Sequence, residues 1–304
     1  MPRLTVILPA LDAAATLGLA LSSTLRALPR DAELVVLDDG SQDATPQILD
    51  RTRDPRVRVL RSEAPSGVAG GLRRLLAETD SELVGRMDAD DVCLPWRFHH
   101  QLAVHDRLSP AVQFTQVLEF GPRRLRPGAP LAMGAAETEV QLLLRNPMSH
   151  PAMLGRRSAI DAVGGYRDVP SEDYDLWLRL AAAGEPVVRT ATTGLLYRVH
   201  PYQITASASW RERSWHDPLQ ATAFGDLAQR VLGTRRRRLN VVATDPALTD
   251  AELADELDAF GTDVRTAAAR LTPRARRRVV ATWERRRRQL ATLRAARVAQ
   301  DQGR

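Results

Sequence analysis

Leu83-Val84-Gly85-Arg86-Met87-Asp88-Ala89-Asp90-Asp91 sets three carboxylates in four positions at the end of an apolar run. A short buried strand that ends in packed acids concentrates like charge, which costs self-repulsion unless a cation shares the site. A divalent-metal site is one reading of this stretch. The other is an acidic turn capping a helix after Pro95, since Asp is a common turn and N-cap residue.

Upstream, residues 4–8, 33–37 and 57–60 are three more apolar runs. Pro9 stops the first, and Asp12 is placed as N-cap of a helix in which Leu17, Leu21, Leu25 and Leu28 recur at near-helical spacing. Thr45-Pro46 opens the next helix, and Ser66-Gly67-Val68-Ala69-Gly70-Gly71 leads into a third that runs to about Glu78. Strand and helix therefore alternate four times, and continuous apolar strands joined by helices predict an α/β fold with a mostly parallel sheet flanked by helices. Ligands bind such sheets at the carboxyl ends of the strands. Residues 9–12, 38–41, 65–71 and 88–91 all fall there.

Downstream, a helix with Trp96, Phe98, Leu102 and Leu108 is expected, then a β-like run over 112–120 and an exposed Pro/Gly/Arg-rich loop over 121–130. A helix over 136–145 precedes Asn146-Pro147. In Ser171-Glu172-Asp173-Tyr174-Asp175-Leu176-Trp177-Leu178-Arg179, Ser171 is a cap, acids occupy the first turn and Arg the last. From about residue 208 the chain turns helical and charged. Thr249 with Glu252 forms a capping-box pattern, Gly261 reads as a stop, and Thr272-Pro273 starts a last helix. The expected organisation is a domain over 1–207 and an Arg-rich helical C-terminal region over 208–304.

Every basic residue other than His is Arg, and the chain carries a net charge of +6. The runs 235–238, 276–278 and 285–288 place that charge toward the C-terminus, where attachment to anionic lipid or a solvated helical face is expected rather than nucleic-acid binding. Cys93 is the only cysteine, which excludes an internal disulfide and a cysteine-based metal cluster. The opening run is too short for a signal peptide and no stretch approaches the ~20 apolar residues of a membrane span, so a cytoplasmic location is expected, at most peripheral at the inner face of a membrane.

The other candidate residues each carry two readings. Asp38-Asp39-Gly40-Ser41 is a strand-to-turn sequence, or a carboxylate aimed at a nucleotide base. Gly67 to Gly71 has neither dinucleotide-loop nor P-loop spacing, and serves close packing or close approach to a ligand. Asp173 is a helix-capping acid or a general base, and His200 a metal ligand, a diphosphate contact or neither.

Taken in order, these segments resemble glycosyltransferase family 2, the inverting nucleotide-sugar transferases of GT-A fold. Val6-Ile7-Leu8-Pro9-Ala10-Leu11-Asp12 is similar to that family's strand and Pro-x-Tyr-Asn. Residues 33–45, the RMDADD stretch, Pro95 with Arg97 and Gln101 (as in a bacterial polysaccharide branch), Asn146-Pro147, His150-Pro151, Gly164-Gly165-Tyr166, Glu172-Asp173 and Tyr197-Arg198-Val199-His200 follow in sequence. The resemblance covers roughly 3–207. It implies a metal-dependent enzyme, with Mn²⁺ or Mg²⁺ on Asp90 and His200. The nucleotide sugar, a UDP-sugar first, would contact Pro9, Leu11, Asp39, Gly67, Arg73, Asp88 and Ala89, with Asp39 toward the base and Asp88 toward the ribose. Asp173 would be the catalytic base and Asp91 a structural cap. The acceptor would be a sugar or a lipid-linked hydroxyl in polysaccharide or glycolipid synthesis. Leu11 and Asp12 depart from the family's Tyr and Asn, which removes an aromatic contact to the base. A nucleotidyltransferase is the alternative enzyme, disfavoured because no Gly-rich, basic phosphate loop follows the first strand. A non-catalytic nucleic-acid- or membrane-binding protein is the alternative outside enzymes.

Overall fold

A computed structural model describes residues 2–121, 124–127, 131–200 and 207–302. The chain divides into two compact units, one of Met1–Ala132, Met148–Asp168 and Glu185–Ala206, the other of Met133–Pro147, Val169–Gly184 and Ser207–Arg304.

The first unit is built on one sheet. Strands β1 (Leu4–Ala10), β2 (Glu33–Asp38), β3 (Val57–Arg61) and β4 (Leu83–Arg86) pair in parallel in the order β3-β2-β1-β4, linked by helices α1 (Leu17–Ala27), α2 (Thr45–Arg51) and α3 (Gly67–Ala77). Their inner residues, Val6, Leu8, Leu34, Val36 and Leu83 among them, are buried together with Leu17, Leu21 and Leu28 of the first connection. Beyond β4 the sheet becomes mixed. After the short β5 (Val92–Cys93) and helix α4 (Arg97–Leu108) come β6 (Val112–Gly121) and β7 (Arg124–Pro127). The unit is completed by β8 (Met153–Arg156), helix α6 (Arg157–Ala162) and β9 (Val187–Arg198). β8 pairs antiparallel to β4 and to β6, β9 is parallel to β6, and β5 is antiparallel to β9. The sheet is therefore all-parallel in its first half only, and in the second half antiparallel pairs flank the parallel pair β6 and β9.

Three local expectations need correction. Pro9 does not stop β1. The Ile7 carbonyl accepts the Met87 N–H, and alternation turns Pro9 to that same side, where β4 has already ended and no donor is required. Asp12 does not cap a helix. It sits at φ 46°, and its carboxylate accepts the Gln42 N–H while its own N–H donates to Ser41 Oγ, fastening the loop after β1 to the loop after β2. Part of the expected loop over 121–130 is β7, which folds back on β6, while residues 122–123 and 128–130 lie outside the described residues.

The second unit is helical: α5 (Ala135–Leu144), α7 (Glu172–Ala182), α8 (Ala208–His216), α9 (Pro218–Leu232), α10 (Leu239–Thr244), α11 (Asp250–Ala269) and α12 (Pro273–Gln302). Thr249 and Glu252 form the reciprocal capping box on α11. Gly261, expected to end that helix, is buried within it. A Cβ there would lie 2.6 Å from Trp283 Nε1 of α12, so the glycine is what lets the two helices approach. Trp283 is fully buried against Phe260. Gly261→Ala should therefore destabilise the unit by about 1–3 kcal/mol in urea denaturation, the overpacking outweighing the ~1 kcal/mol of helix propensity gained. A stabilised variant would show that the close approach is not there. Among the described residues no helix is long and apolar enough to cross a membrane.

Candidate functional site

In the first unit the ends of β1, β2 and β4 meet as the parallel register dictates. The Ala10 carbonyl accepts the Asp39 N–H, and Asp38 turns the chain by accepting the Ser41 N–H on Oδ1. Gly40 takes φ +84° at that turn, and a Cβ on it would fall within 3.0 Å of the Ala64 backbone. Asp39, nearly buried, accepts from Ser66 N and Gly67 N on Oδ2 and from Ser66 Oγ on Oδ1. It thus satisfies the free N–H groups that open α3. Gly67 is at φ +76° with open space around it, whereas a Cβ on Gly71 would meet Leu37 at 3.2 Å. The two glycines divide the two readings: Gly71 packs, and Gly67 leaves backbone accessible. Leu11 is 46% exposed and Arg73 is exposed on α3; Pro9 and Ala89 are half-buried.

The acidic stretch is held from three directions. Arg86, buried, donates from Nε to Asp88 Oδ1 at 2.8 Å and from Nη1 to His150 Nδ1. With Nδ1 accepting, His150 Nε2 carries the hydrogen and donates to Tyr166 Oη at 2.7 Å. From β9, the Arg198 N–H donates to Asp91 Oδ1 at 2.8 Å and its Nε to the Asp90 carbonyl at 2.7 Å, with the guanidinium over the Phe120 ring. Asp91 is therefore structural, but it clips β9 to the stretch instead of capping the turn toward Pro95. His200 Nε2 lies 3.3 Å from Asp90 Oδ2. Arg97 is fully buried beneath, donating to the carbonyls of Arg86 and Met153 and to Gln101 Oε1, while Gln101 donates to the Ala152 carbonyl. Arg97 and Gln101 are the floor of the site and not part of its lining.

One carboxylate oxygen from each of Asp88, Asp90 and Asp91 lies within 4.8 Å of the others. Asp91 Oδ2 is buried without a hydrogen-bond partner among the described residues. Burial, then the charge of Asp88, raises the pKa of Asp90, and the same two causes push Asp91 up to about 9. Tyr197 is raised by burial and by all three acids. Crowded acids with an unsatisfied oxygen and suppressed ionisation are the donor set that a hard divalent cation completes, so these residues fit Mn²⁺ or Mg²⁺.

The Asp91 shift has a stability consequence. Its carboxyl is raised from 3.8 to about 9, so the stability it permits is full below the unfolded value and is lost as pH climbs toward the folded one. In EDTA, Asp91→Asn should melt above the wild type, with a margin that widens from about pH 5 to about pH 8. A pH-independent margin would show that no charge is being suppressed.

Asp173 belongs to the second unit. It lies in the first turn of α7, with Oδ2 accepting from Asn146 Nδ2 at 2.9 Å and Oδ1 from the Tyr174 N–H at 2.6 Å. Ser171, expected to cap α7 with its side chain, instead shares a hydrogen bond with Ser214 Oγ. Leu176, Trp177 and Leu180, three, four and seven residues on along the helix, are fully buried and fix it. The structure thus gathers Asp88, Asp90 and His200 in one place, sets Asp39 under the start of α3, and presents Asp173 on its own unit. Arg86 and Arg198 had no assigned role in the sequence; a cation directly before three packed acids was the available signal for the first.

Residues 5–164, more than half of the chain, match the family model described as Glycosyl transferase family 2. The amylovoran biosynthesis glycosyltransferase AmsE of Erwinia amylovora is 28% identical over 47% of this chain and 55% of its own length. The succinoglycan biosynthesis protein ExoU of Rhizobium meliloti is 30% identical over 59% of this chain and 57% of its own. The chain thus spans little more than half the length of these two relatives. Among solved structures, S. aureus TarS 1–349 in complex with UDP-GlcNAc superposes with a TM-score of 0.63 at 16% identity, covering 100% of this chain and 93% of TarS 1–349, which shows a shared GT-A fold. The motifs, the sheet that carries them and the matched span agree: the chain belongs to glycosyl transferase family 2.

Proposed function

We propose that the chain moves a sugar from a nucleotide-diphosphate donor to an acceptor hydroxyl with inversion at the anomeric carbon. The observation that carries this reading is the trio Asp88, Asp90 and Asp91 after the carboxyl end of β4, one strand removed from the end of β2 where Asp39 lies. Asp90, with His200 beside it, holds Mn²⁺ or Mg²⁺. When bound, the ion supplies charge neutralisation for a departing diphosphate. Asp88, kept in place by Arg86, orients the ribose; Asp39 faces the base, with Pro9, Leu11, Gly67, Arg73 and Ala89 around the donor. Asp173 removes the acceptor hydroxyl's proton as that oxygen attacks, and inversion follows from a single displacement.

A UDP-sugar is the first donor to try. TarS 1–349 was crystallised with UDP and with UDP-GlcNAc, and the E. coli relative WfaP, 22% identical over 68% of this chain, is named a UDP-Glc:α-D-GlcNAc-diphosphoundecaprenol β-1,3-glucosyltransferase. Polysaccharide or glycolipid synthesis at the inner face of a membrane is the setting this favours. The exposed Arg274, Arg276, Arg277 and Arg288 of α12 suit peripheral contact with anionic lipid. The test is a panel of nucleotide sugars scored for Mn²⁺-dependent hydrolysis and thermal shift. A UDP-sugar should stand out, and a panel without any metal-dependent response would overturn the reading.

A further inference from the structure

The helical unit holds more guanidinium than it neutralises, and the surplus is local. Helices α5 and α12 run side by side, and at one end Arg278 pairs with Glu137. Seven residues further along α12 stands Arg285, and its charge acts on Arg145, the extended residue that follows α5, so that two like charges are neighbours there. Neither guanidinium has a hydrogen-bond or ion-pair partner among the described residues. Arg145 is an exposed residue, yet burial of its guanidinium and then the Arg285 charge lower its pKa.

Two more arginines close the group. Arg286 donates to Asn240 Oδ1, and its Nε is buried without a partner. Arg238 donates to the Ser214 carbonyl and Gln220 Oε1 and lies over the Tyr174 ring. Both guanidiniums interact with Tyr174, whose hydroxyl donates to the Leu142 carbonyl of α5. The Asp217 carboxylate acts on Arg238, and Asp173 acts on Tyr174. Asp173 is bonded to Asn146, the residue after Arg145. Arg238 and Arg286 thus act on Tyr174 in the first turn of α7, and Arg145 directly precedes the Asn146 that holds the carboxylate assigned as base.

We propose that Arg145, Arg285 and Arg286, backed by Arg238, form an anion site for a phosphoryl or diphosphoryl group, and that this group belongs to the acceptor. Like-charged guanidiniums held together against their repulsion are a preformed match for phosphate oxygens, which each arginine receives through two parallel N–H groups. The assignment to the acceptor rests on Asp173 being the base; the anion site itself does not.

The test uses the full chain in EDTA, so that no metal competes for the probe. Inorganic pyrophosphate is titrated calorimetrically into the wild type, into Arg145→Gln/Arg285→Gln, and into Arg265→Gln/Arg270→Gln, which removes the same charge from the exposed C-terminal end of α11. The first pair should bind about tenfold or more weakly and the second pair like the wild type. A second arm floats the same three proteins with phosphatidylcholine vesicles, with and without phosphatidylglycerol. Flotation lost only in the first pair assigns the phosphoryl group to a lipid headgroup; flotation unchanged with pyrophosphate binding lost assigns it to a group presented in solution. If both pairs weaken alike, the effect is diffuse charge, and if neither weakens in either arm there is no site; each result overturns the proposal. Arg285→Gln alone serves if the double variant melts early. Because binding is the readout, failure here is separate from failure of the transferase reading, which would show as no transfer by the wild type.

Discussion

Replacing Asp173 by Asn should lower sugar transfer by about 10²- to 10⁴-fold and leave donor binding close to that of the wild type. The substitution is nearly isosteric. Asn can still accept the Tyr174 N–H on its amide oxygen, and Asn146 needs only to rotate its amide so that its oxygen faces the new NH₂ group. The residues assigned to the donor, Asp39 and Asp88 among them, belong to the first unit and keep their own partners in Ser66, Gly67 and Arg86. A collapse of turnover without change in nucleotide-sugar affinity or melting temperature is therefore the signature of a lost proton acceptor. Full turnover in the variant would make Asp173 a helix-capping acid and nothing more. The neighbouring Asp175 is no substitute base. It is fully buried and paired with Arg179, so its replacement is expected to act through stability.

What the sequence disclosed divides by the range of the interaction. Apolar runs and helical spacing gave β1 to β4 and their three connecting helices, because period and burial are local properties. The later strands paired otherwise than expected: β8 inserts antiparallel beside β4, and no local signal in Met153–Arg156 specifies that partner. Residue types with several uses were read less well. Asp12, Ser171 and Gly261 each have a common local role in capping or stopping a helix, and each is employed over distance instead. Asp12 is tied to the loop after β2, Ser171 to Ser214, and Gly261 makes room for Trp283. Of the acidic stretch, the sequence showed the cluster of charge. It did not show that Arg86 and Arg198 hold two of the three acids, since those contacts depend on how strand ends meet.

Those holding contacts make the two outer members of the DxD triplet separable by experiment. Asp90→Ala should weaken Mn²⁺ binding about tenfold or more while the metal-free protein melts at or above the wild-type temperature. Burial and the charge of Asp88 both disfavour the ionised form of Asp90, and its contact with His200 is one-third exposed on both sides, so little stability is lost with it. Asp88→Ala should weaken the metal and also lower metal-free stability by about 1–3 kcal/mol, because the buried Arg86 then loses its charge-assisted hydrogen bond to Asp88. With this size of protein, that loss corresponds to about 2–4 °C in melting temperature per kcal/mol. Both effects are read in one set of measurements: melting curves in EDTA and Mn²⁺ titration followed by electron paramagnetic resonance of the free ion. His200→Ala adds a graded case, expected to weaken Mn²⁺ less than Asp90→Ala, since a neutral imidazole brings no charge to a hard cation. If Asp90→Ala bound Mn²⁺ as the wild type does, the cation would have to be held elsewhere. The three acids would then be a structural knot around Arg86 and Arg198.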